Sequence, residues 1–161
     1  MRIAKPKQRL IVVPAFERAQ LLDVSGPVQT FASANEIVGE AGGEPPYRIA
    51  VVSRYGGSVT TSSGLPLVTQ PARRAIDAAR IDTLIIPGGP GVHEALKDKR
   101  TVASLRHQAA GARRVASVCT GAFYWPRPVC STVAAPPHIG NGAGGFSSAT
   151  RTFASNTIRF M

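Results

Sequence analysis

Cysteine is scarce in this sequence, with Cys119 and Cys130 the two examples among 161 residues. Two cysteines without a CxxC pair or a Cys/His cluster predict neither a disulfide framework nor a zinc site. We therefore expect a chain that uses no metal and no cofactor.

Long apolar runs are missing as well. The first apolar run, residues 10–13, stops at Pro14 and is too short for a signal peptide or a membrane span. This absence predicts a cytoplasmic chain that makes no contact with a membrane.

Acidic residues are absent after position 98, although the formal net charge of the chain is +10. A basic balance of this kind can indicate a nucleic-acid partner. Here the basic residues come as scattered pairs, and neither a helix-turn-helix nor a zinc-knuckle pattern accompanies them. We expect a solvated basic surface and no direct nucleic-acid binding by this chain.

Strands and helices alternate along the chain up to residue 124. We predict strands at 9–14, 47–53, 82–87 and 114–119, and helices at 21–38 (with Pro27 in the first turn), 72–79 and 102–110. Residues 58–69 suit a small hairpin or an extended excursion. This alternation predicts an α/β fold with a doubly wound, mostly parallel sheet.

The segment around Cys119 carries the strongest chemical signal. An apolar strand runs directly into Cys-Thr-Gly-Ala, a pattern typical of a tight strand-to-helix turn that raises the side chain at its apex above the sheet. A helix N-terminus beside the sulfur would favour the nucleophilic thiolate. The alternative is a buried structural cysteine at a strand end.

Asp23 follows the first predicted strand. In a doubly wound sheet the loops after the strands meet at one edge, so Asp23 and Cys119 could share a crevice there, and the carboxyl group could hold or receive a proton. The alternative role for Asp23 is the N-cap of a helix that begins near Gly26.

The glycines at positions 88–91 follow another predicted strand. They lack the Walker spacing and its lysine, and they suit backbone N–H groups that face a small ligand, or a plain tight turn. His93 and His107 are candidate bases, but nothing in the sequence places either beside Cys119. No Cys–His dyad is predicted.

Together these segments resemble the ThiJ/PfpI superfamily, which has the flavodoxin-like fold of class I glutamine amidotransferases. The resemblance is closest to the N-terminal domain of AraC-type transcriptional regulators. It covers residues 8–124 and rests on three blocks in order: Leu-Leu-Asp-Val-Ser-Gly-Pro at 21–27, Pro-Gly-Gly-Pro-Gly at 87–91 and Ala-Ser-Val-Cys-Thr-Gly-Ala-Phe at 116–123.

The resemblance implies a site at the carboxyl edge of the sheet. Cys119, Asp23 and Thr120 would be its catalytic residues, and backbone amides near Gly89 and Thr120 would form a small-anion or oxyanion site. The residues implied to bind a ligand are Gly26, Pro27, Gly88, Gly89 and Pro90.

Residues 125–161 differ in composition, with no Asp, Glu or Lys and with four prolines. Pro126 and Pro128 would stop the helix after Cys119, whereas the relatives continue it with an Ala/Leu-rich segment. Our hypothesis is a single-base frame slip near residue 124, because reading one base earlier over residues 125–142 permits LAAAGLLDGRRATTHWEW. We expect a poorly ordered tail and a fold truncated at its C-terminal side.

Three functions remain open at this point. The first is a small-molecule-sensing domain of an AraC-type regulator that lacks its DNA-binding domain. The second is a cysteine-dependent isonitrile hydratase or amidase-like enzyme, and the third is a non-functional frameshifted remnant. The expected partner is a small-molecule ligand or substrate, and a homodimer is a further option because relatives often dimerise.

Overall fold

The computed structural model describes residues 8–76 and 80–124. The strands are β1 (Arg9–Pro14), β2 (Tyr47–Ser53), β3 (Gly57–Thr60), β4 (Pro66–Pro71), β5 (Ile81–Ile86) and β6 (Arg114–Ser117). The helices are α1 (Leu21–Glu40), α2 (Ala72–Ile76), α3 (Val92–Ala95), α4 (Lys99–Gly111) and a 3-10 helix, Cys119–Tyr124. The expected tail at 125–161 lies outside the described residues.

The strands form one six-stranded sheet in the order β3-β4-β2-β1-β5-β6. All neighbouring pairs are parallel except β3 and β4, which pair antiparallel as a hairpin, one of the two alternatives predicted. The chain moves outward from β1 to β2 and then returns to the other side of β1 with β5. This reversal creates a topological switch point between β1 and β5, where ligands of such sheets bind.

The sheet centre is apolar on both faces, as expected for a parallel strand with layers on each side. All residues of β1 from Leu10 to Pro14 are buried. Ile11 and Val13 pack with Val24 of α1 in one core cluster. Because side chains alternate along a strand, Val12 and Pro14 face the other side of the sheet.

Helix α1 begins at Leu21, as predicted. Its N-cap position is Gln20, which makes no side-chain cap, and Pro27 lies inside the helix. The placement of Pro27 in the first turn and the N-cap role for Asp23 are therefore wrong. Asp23 lies instead in the first turn, where the helix dipole favours a carboxylate.

Other elements differ from the predictions as well. α4 begins at Lys99, because the Asp98 side chain caps it by accepting the Thr101 N–H at 3.2 Å. β6 ends at Ser117, two residues before the predicted end, and α3 was not predicted. No helix within the described residues is both long and apolar enough to cross a membrane.

Candidate functional site

Cys119 lies at the apex of a sharp strand-to-helix turn. Val118 N–H still donates to the Ile86 carbonyl at 2.9 Å, and the next residue turns away with a φ of 52°. This left-handed conformation costs a non-glycine residue about 1 kcal/mol. The thiol is exposed, so the alternative of a buried structural cysteine is wrong for this structure.

The glycine turn after β5 lies directly against this elbow. A Cβ atom at Gly88 would lie 2.9 Å from Cys119 Cβ and 2.7 Å from Thr120 N. Real Cβ atoms do not approach backbone this closely, so only glycine permits the contact. The close approach explains why Gly-Gly follows a buried strand at this edge of the sheet.

Asp23, in the first turn of α1, is hydrogen-bonded to Gly88. Its Oδ2 accepts the Gly88 N–H at 3.0 Å, although the two residues are 65 positions apart. Gln20 N–H donates to the Gly88 carbonyl at 2.8 Å. Both polar groups of Gly88 are thus bonded to the first turn of α1 and the residue before it.

Thr120 binds the second glycine of the turn. Its hydroxyl oxygen accepts the Gly89 N–H at 3.0 Å and also lies 3.4 Å from the Gly89 carbonyl. The expected use of the Gly89 amide as an oxyanion donor therefore needs correction, because a side chain already occupies this N–H. The Thr120 hydroxyl, next to Cys119 in the chain, thus provides the hydrogen-bond acceptor for the Gly89 N–H.

The structure brings Asp23, Gly88, Gly89, Cys119 and Thr120 together at the carboxyl ends of β1, β5 and β6. The other residues implied to bind a ligand, Gly26, Pro27 and Pro90, are placed differently. Gly26 is exposed on α1, and a Cβ there would meet nothing within 4 Å. Pro27 lies beside it in the helix, and Pro90 is exposed at the tip of the turn.

Neither candidate histidine is bonded to the thiol within the described residues. His93 is exposed on α3 and stacks on Phe123 of the 3-10 helix, with 5.7 Å between ring centroids. His107 is exposed on α4. The His93–Phe123 pair could not be predicted from the sequence, since α3 is too short to produce a helical pattern.

Gly121 also supports the elbow, and its role was not predicted. A Cβ at this position would overlap the Ile86 carbonyl oxygen and lie 2.8 Å from the Pro87 carbonyl oxygen. The position of glycine two residues after the cysteine was the signal that could have identified it. Across residues 8–76 and 80–124, no group of three or more His, Cys, Asp or Glu could hold a metal ion.

Sequence comparison finds relatives of this chain. The model of the DJ-1/PfpI family matches residues 9–125. An uncharacterized protein in the cpoL 5' region of Streptomyces lividans is 37% identical over 113 residues, which are 70% of this chain and 74% of that protein. Isonitrile hydratase of Pseudomonas putida is 36% identical over 108 residues, which cover 67% of this chain and 42% of the enzyme.

Solved structures share the fold. A ThiJ/PfpI family protein from Pseudomonas syringae superposes with a TM-score of 0.61 at 24% identity, covering 74% of this chain and 45% of that one. A candidate transcriptional regulator from Vibrio parahaemolyticus superposes with a TM-score of 0.57 at 15% identity, covering 73% of this chain and 59% of that one. The chain thus spans about half the length of these two proteins.

Proposed function

Because the chain belongs to the DJ-1/PfpI family, we propose that residues 8–124 form a small-molecule-sensing domain of the regulator type, with the Cys119 elbow as its ligand site. The observation that carries this proposal is an exposed thiol on a strained backbone, beside a glycine turn held by Asp23 and Thr120. A rigid, solvent-facing sulfur at a switch point is suited to contact a small ligand.

The hydrogen bonds of the site favour binding over turnover. The Asp23 carboxylate accepts from Gly88, and the Thr120 hydroxyl accepts from Gly89. Within residues 8–76 and 80–124, no side chain that could act as a base is hydrogen-bonded to the thiol. A nucleophile without a bonded base can hold a ligand, while catalysis usually needs the pair.

A structural neighbour supports the assignment to the regulator type. The structural neighbour from Vibrio parahaemolyticus is described as a candidate transcriptional regulator, and it shares this fold. In the sensing role, ligand binding at the elbow would stabilise the folded domain by mass action.

Methylglyoxal and cyclohexyl isocyanide are suitable probes, since both carry a small carbon electrophile. We expect a saturable rise in the melting temperature with at least one of them, without consumption of the probe. Cys119→Ser should lose this rise, and Cys119→Ser with an unchanged response would refute the elbow as the ligand site. Formation of product by the wild-type protein would refute sensing without turnover.

Isonitrile hydration is the second candidate. It is favoured by the 36% identity to isonitrile hydratase and by the convergence of Asp23, Cys119 and Thr120. In this reaction the thiol would add to the isonitrile carbon, forming a C–S bond and moving its proton to that carbon. Water would then add to the same carbon and the thiol would leave, which yields an N-substituted formamide.

Formamide production from cyclohexyl isocyanide, followed by proton NMR, tests this second candidate. Catalysis predicts many turnovers per protein, their loss in Cys119→Ser and a strong reduction in Asp23→Asn, which keeps the Gly88 hydrogen bond but not the charge. A folded protein that neither responds to the two probes nor converts them would refute both candidates.

A further inference from the structure

A cavity lies at the carboxyl edge of the sheet and is separate from the elbow. It has a volume of about 300 Å³, and neither Cys119 nor Asp23 lines it. Val13 and Ile85 pack in the α1 cluster, whereas Pro14 and Ile86, the next residue of each strand, line the cavity. Because neighbouring residues of a strand point to opposite faces, this cavity lies on the face away from α1.

Apolar side chains form most of its wall. Val59, Ile86 and Leu105 are buried and contribute from β3, β5 and α4, and Pro14 and Ala95 complete this surface. Ligand pockets in proteins range from about 300 to 1,000 Å³. The cavity therefore suits a compact, largely apolar molecule.

Tyr124 supplies a polar group to this apolar wall. Its side chain is 3% exposed and lines the cavity. Burial raises the pKa of this phenol well above its usual range, and the charge of Asp98, which also lines the cavity, adds to the effect. The hydroxyl therefore remains protonated and can donate a hydrogen bond to a ligand.

The charged groups of the lining disfavour an anion. Glu17 and Asp98 are carboxylates, and Arg54 is the one guanidinium among the lining residues that the structure describes. Arg54 Nη1 is paired with Asp98 Oδ2 at 2.7 Å, while Glu17 Oε2 accepts the Thr60 N–H at 3.1 Å. An uncharged ligand avoids the repulsion that an anionic ligand would meet from these two carboxylates.

We propose that this cavity is a binding site for a small uncharged molecule with an apolar ring and one carbonyl-type oxygen, which accepts a hydrogen bond from the Tyr124 hydroxyl. This site is independent of the elbow function proposed above. Tyr124 and Cys119 belong to the same 3-10 helix, so the two sites share one structural element.

Three probes of equal size test the site. Acetophenone carries the ring and the carbonyl, cumene lacks the acceptor, and benzoate adds a negative charge. Titrations of the full chain followed by amide NMR should give saturable shifts at Val59, Leu105 and Tyr124 with acetophenone. Cumene should bind about five-fold more weakly, since one hydrogen bond is lost, and benzoate should not bind.

Substitutions in the lining test whether acetophenone and cumene bind in this cavity. Tyr124→Phe should weaken acetophenone binding by about five-fold while leaving cumene unchanged. Ala95→Phe should abolish binding of both by filling the space, with folding checked by circular dichroism. Cys119→Ser is the matched control and should leave acetophenone binding intact, so that failure of the elbow proposal remains distinguishable from failure of this one.

Several outcomes would overturn the proposal. These are no saturable binding of acetophenone or cumene to the folded protein, equal affinity in Tyr124→Phe, binding that survives in folded Ala95→Phe, and loss of binding in Cys119→Ser. If Ala95→Phe does not fold, the Tyr124→Phe comparison decides alone, because that substitution removes one oxygen atom and little volume.

Discussion

The two edges of the sheet are held together in different ways. At the carboxyl ends of β1, β5 and β6, backbone segments are in direct contact. At the amino ends of β5 and β6, the contact is an ion pair between side chains. Gly88 lies against Cys119 and Thr120, and Gly121 lies against the carbonyl groups that end β5. At the other edge, Arg113 forms two hydrogen bonds of 2.6 and 2.7 Å with Asp82.

The two edges should differ in how well they tolerate amino-acid substitutions. Contact between backbones leaves no room for even one added methyl group, because neither partner can rotate away. An exposed ion pair can rearrange and is screened by water and salt. We therefore expect substitutions at the carboxyl edge to change the free energy of unfolding several times more than substitutions at the amino edge do.

Gly121→Ala should have the largest effect. The added Cβ would overlap the Ile86 carbonyl oxygen and crowd that of Pro87, which we expect to lower the free energy of unfolding by about 3 kcal/mol. Urea denaturation measures this change. The matched control is Gly26→Ala, whose Cβ meets nothing within 4 Å in helix α1 and should raise stability by about 0.5 kcal/mol. Similar stabilities for the two variants would contradict the comparison.

Asp23→Ala comes second. It leaves the N–H of the buried Gly88 without its acceptor and should cost about 2 kcal/mol of unfolding free energy. Asp23→Asn retains an oxygen that accepts from Gly88 and should cost less than half as much. Equal losses in the two variants, measured by denaturant unfolding, would show that charge and not the hydrogen bond supports the turn.

Cys119→Gly should have the opposite sign. Glycine adopts a φ of 52° without strain, so relief of the strain should exceed its extra entropy in the unfolded chain by about 0.5 kcal/mol. Cys119→Ala keeps a Cβ and should leave stability nearly unchanged. Thermal melts of the two variants in parallel provide the test, and a glycine variant no more stable than the alanine variant would refute strain at the elbow.

Asp82→Asn at the amino edge should have an effect as small as that of Cys119→Gly. The Arg113 hydrogen bond lowers the pKa of the Asp82 carboxyl in the folded state. A lowered folded pKa stabilises the protein above the unfolded pKa of about 3.9, and this stabilisation is lost as the pH falls through the folded pKa. Because the Arg113 side chain is 44% exposed, screening limits the effect to about 0.5 kcal/mol near neutral pH.

Stability measured from neutral to acid pH checks this prediction. The difference between wild type and Asp82→Asn should shrink below the unfolded pKa and should also shrink with added salt. A difference above 2 kcal/mol at neutral pH, or one that grows on acidification, would contradict the contrast between the two edges.

Much of the fold was predictable because local patterns agree with tertiary roles. β1 and β2 have the predicted bounds, since each is a short β-branched run ended by turn residues and a parallel sheet buries such runs. α3, with four residues, lacks a full helical period and could not be predicted. Pro27 was wrongly placed in the first turn of α1, where proline is common, although it lies within the helix.

The sequence alone determined the alternation of strands and helices, the cysteine at a strand end and the glycines at two turns, because these depend on backbone propensity over a few residues. Only the tertiary structure decided that Asp23 binds Gly88, that Thr120 occupies the Gly89 amide, and that Tyr124 lines a cavity. Those contacts join segments far apart in the chain, and the order of strands in the sheet sets their distances.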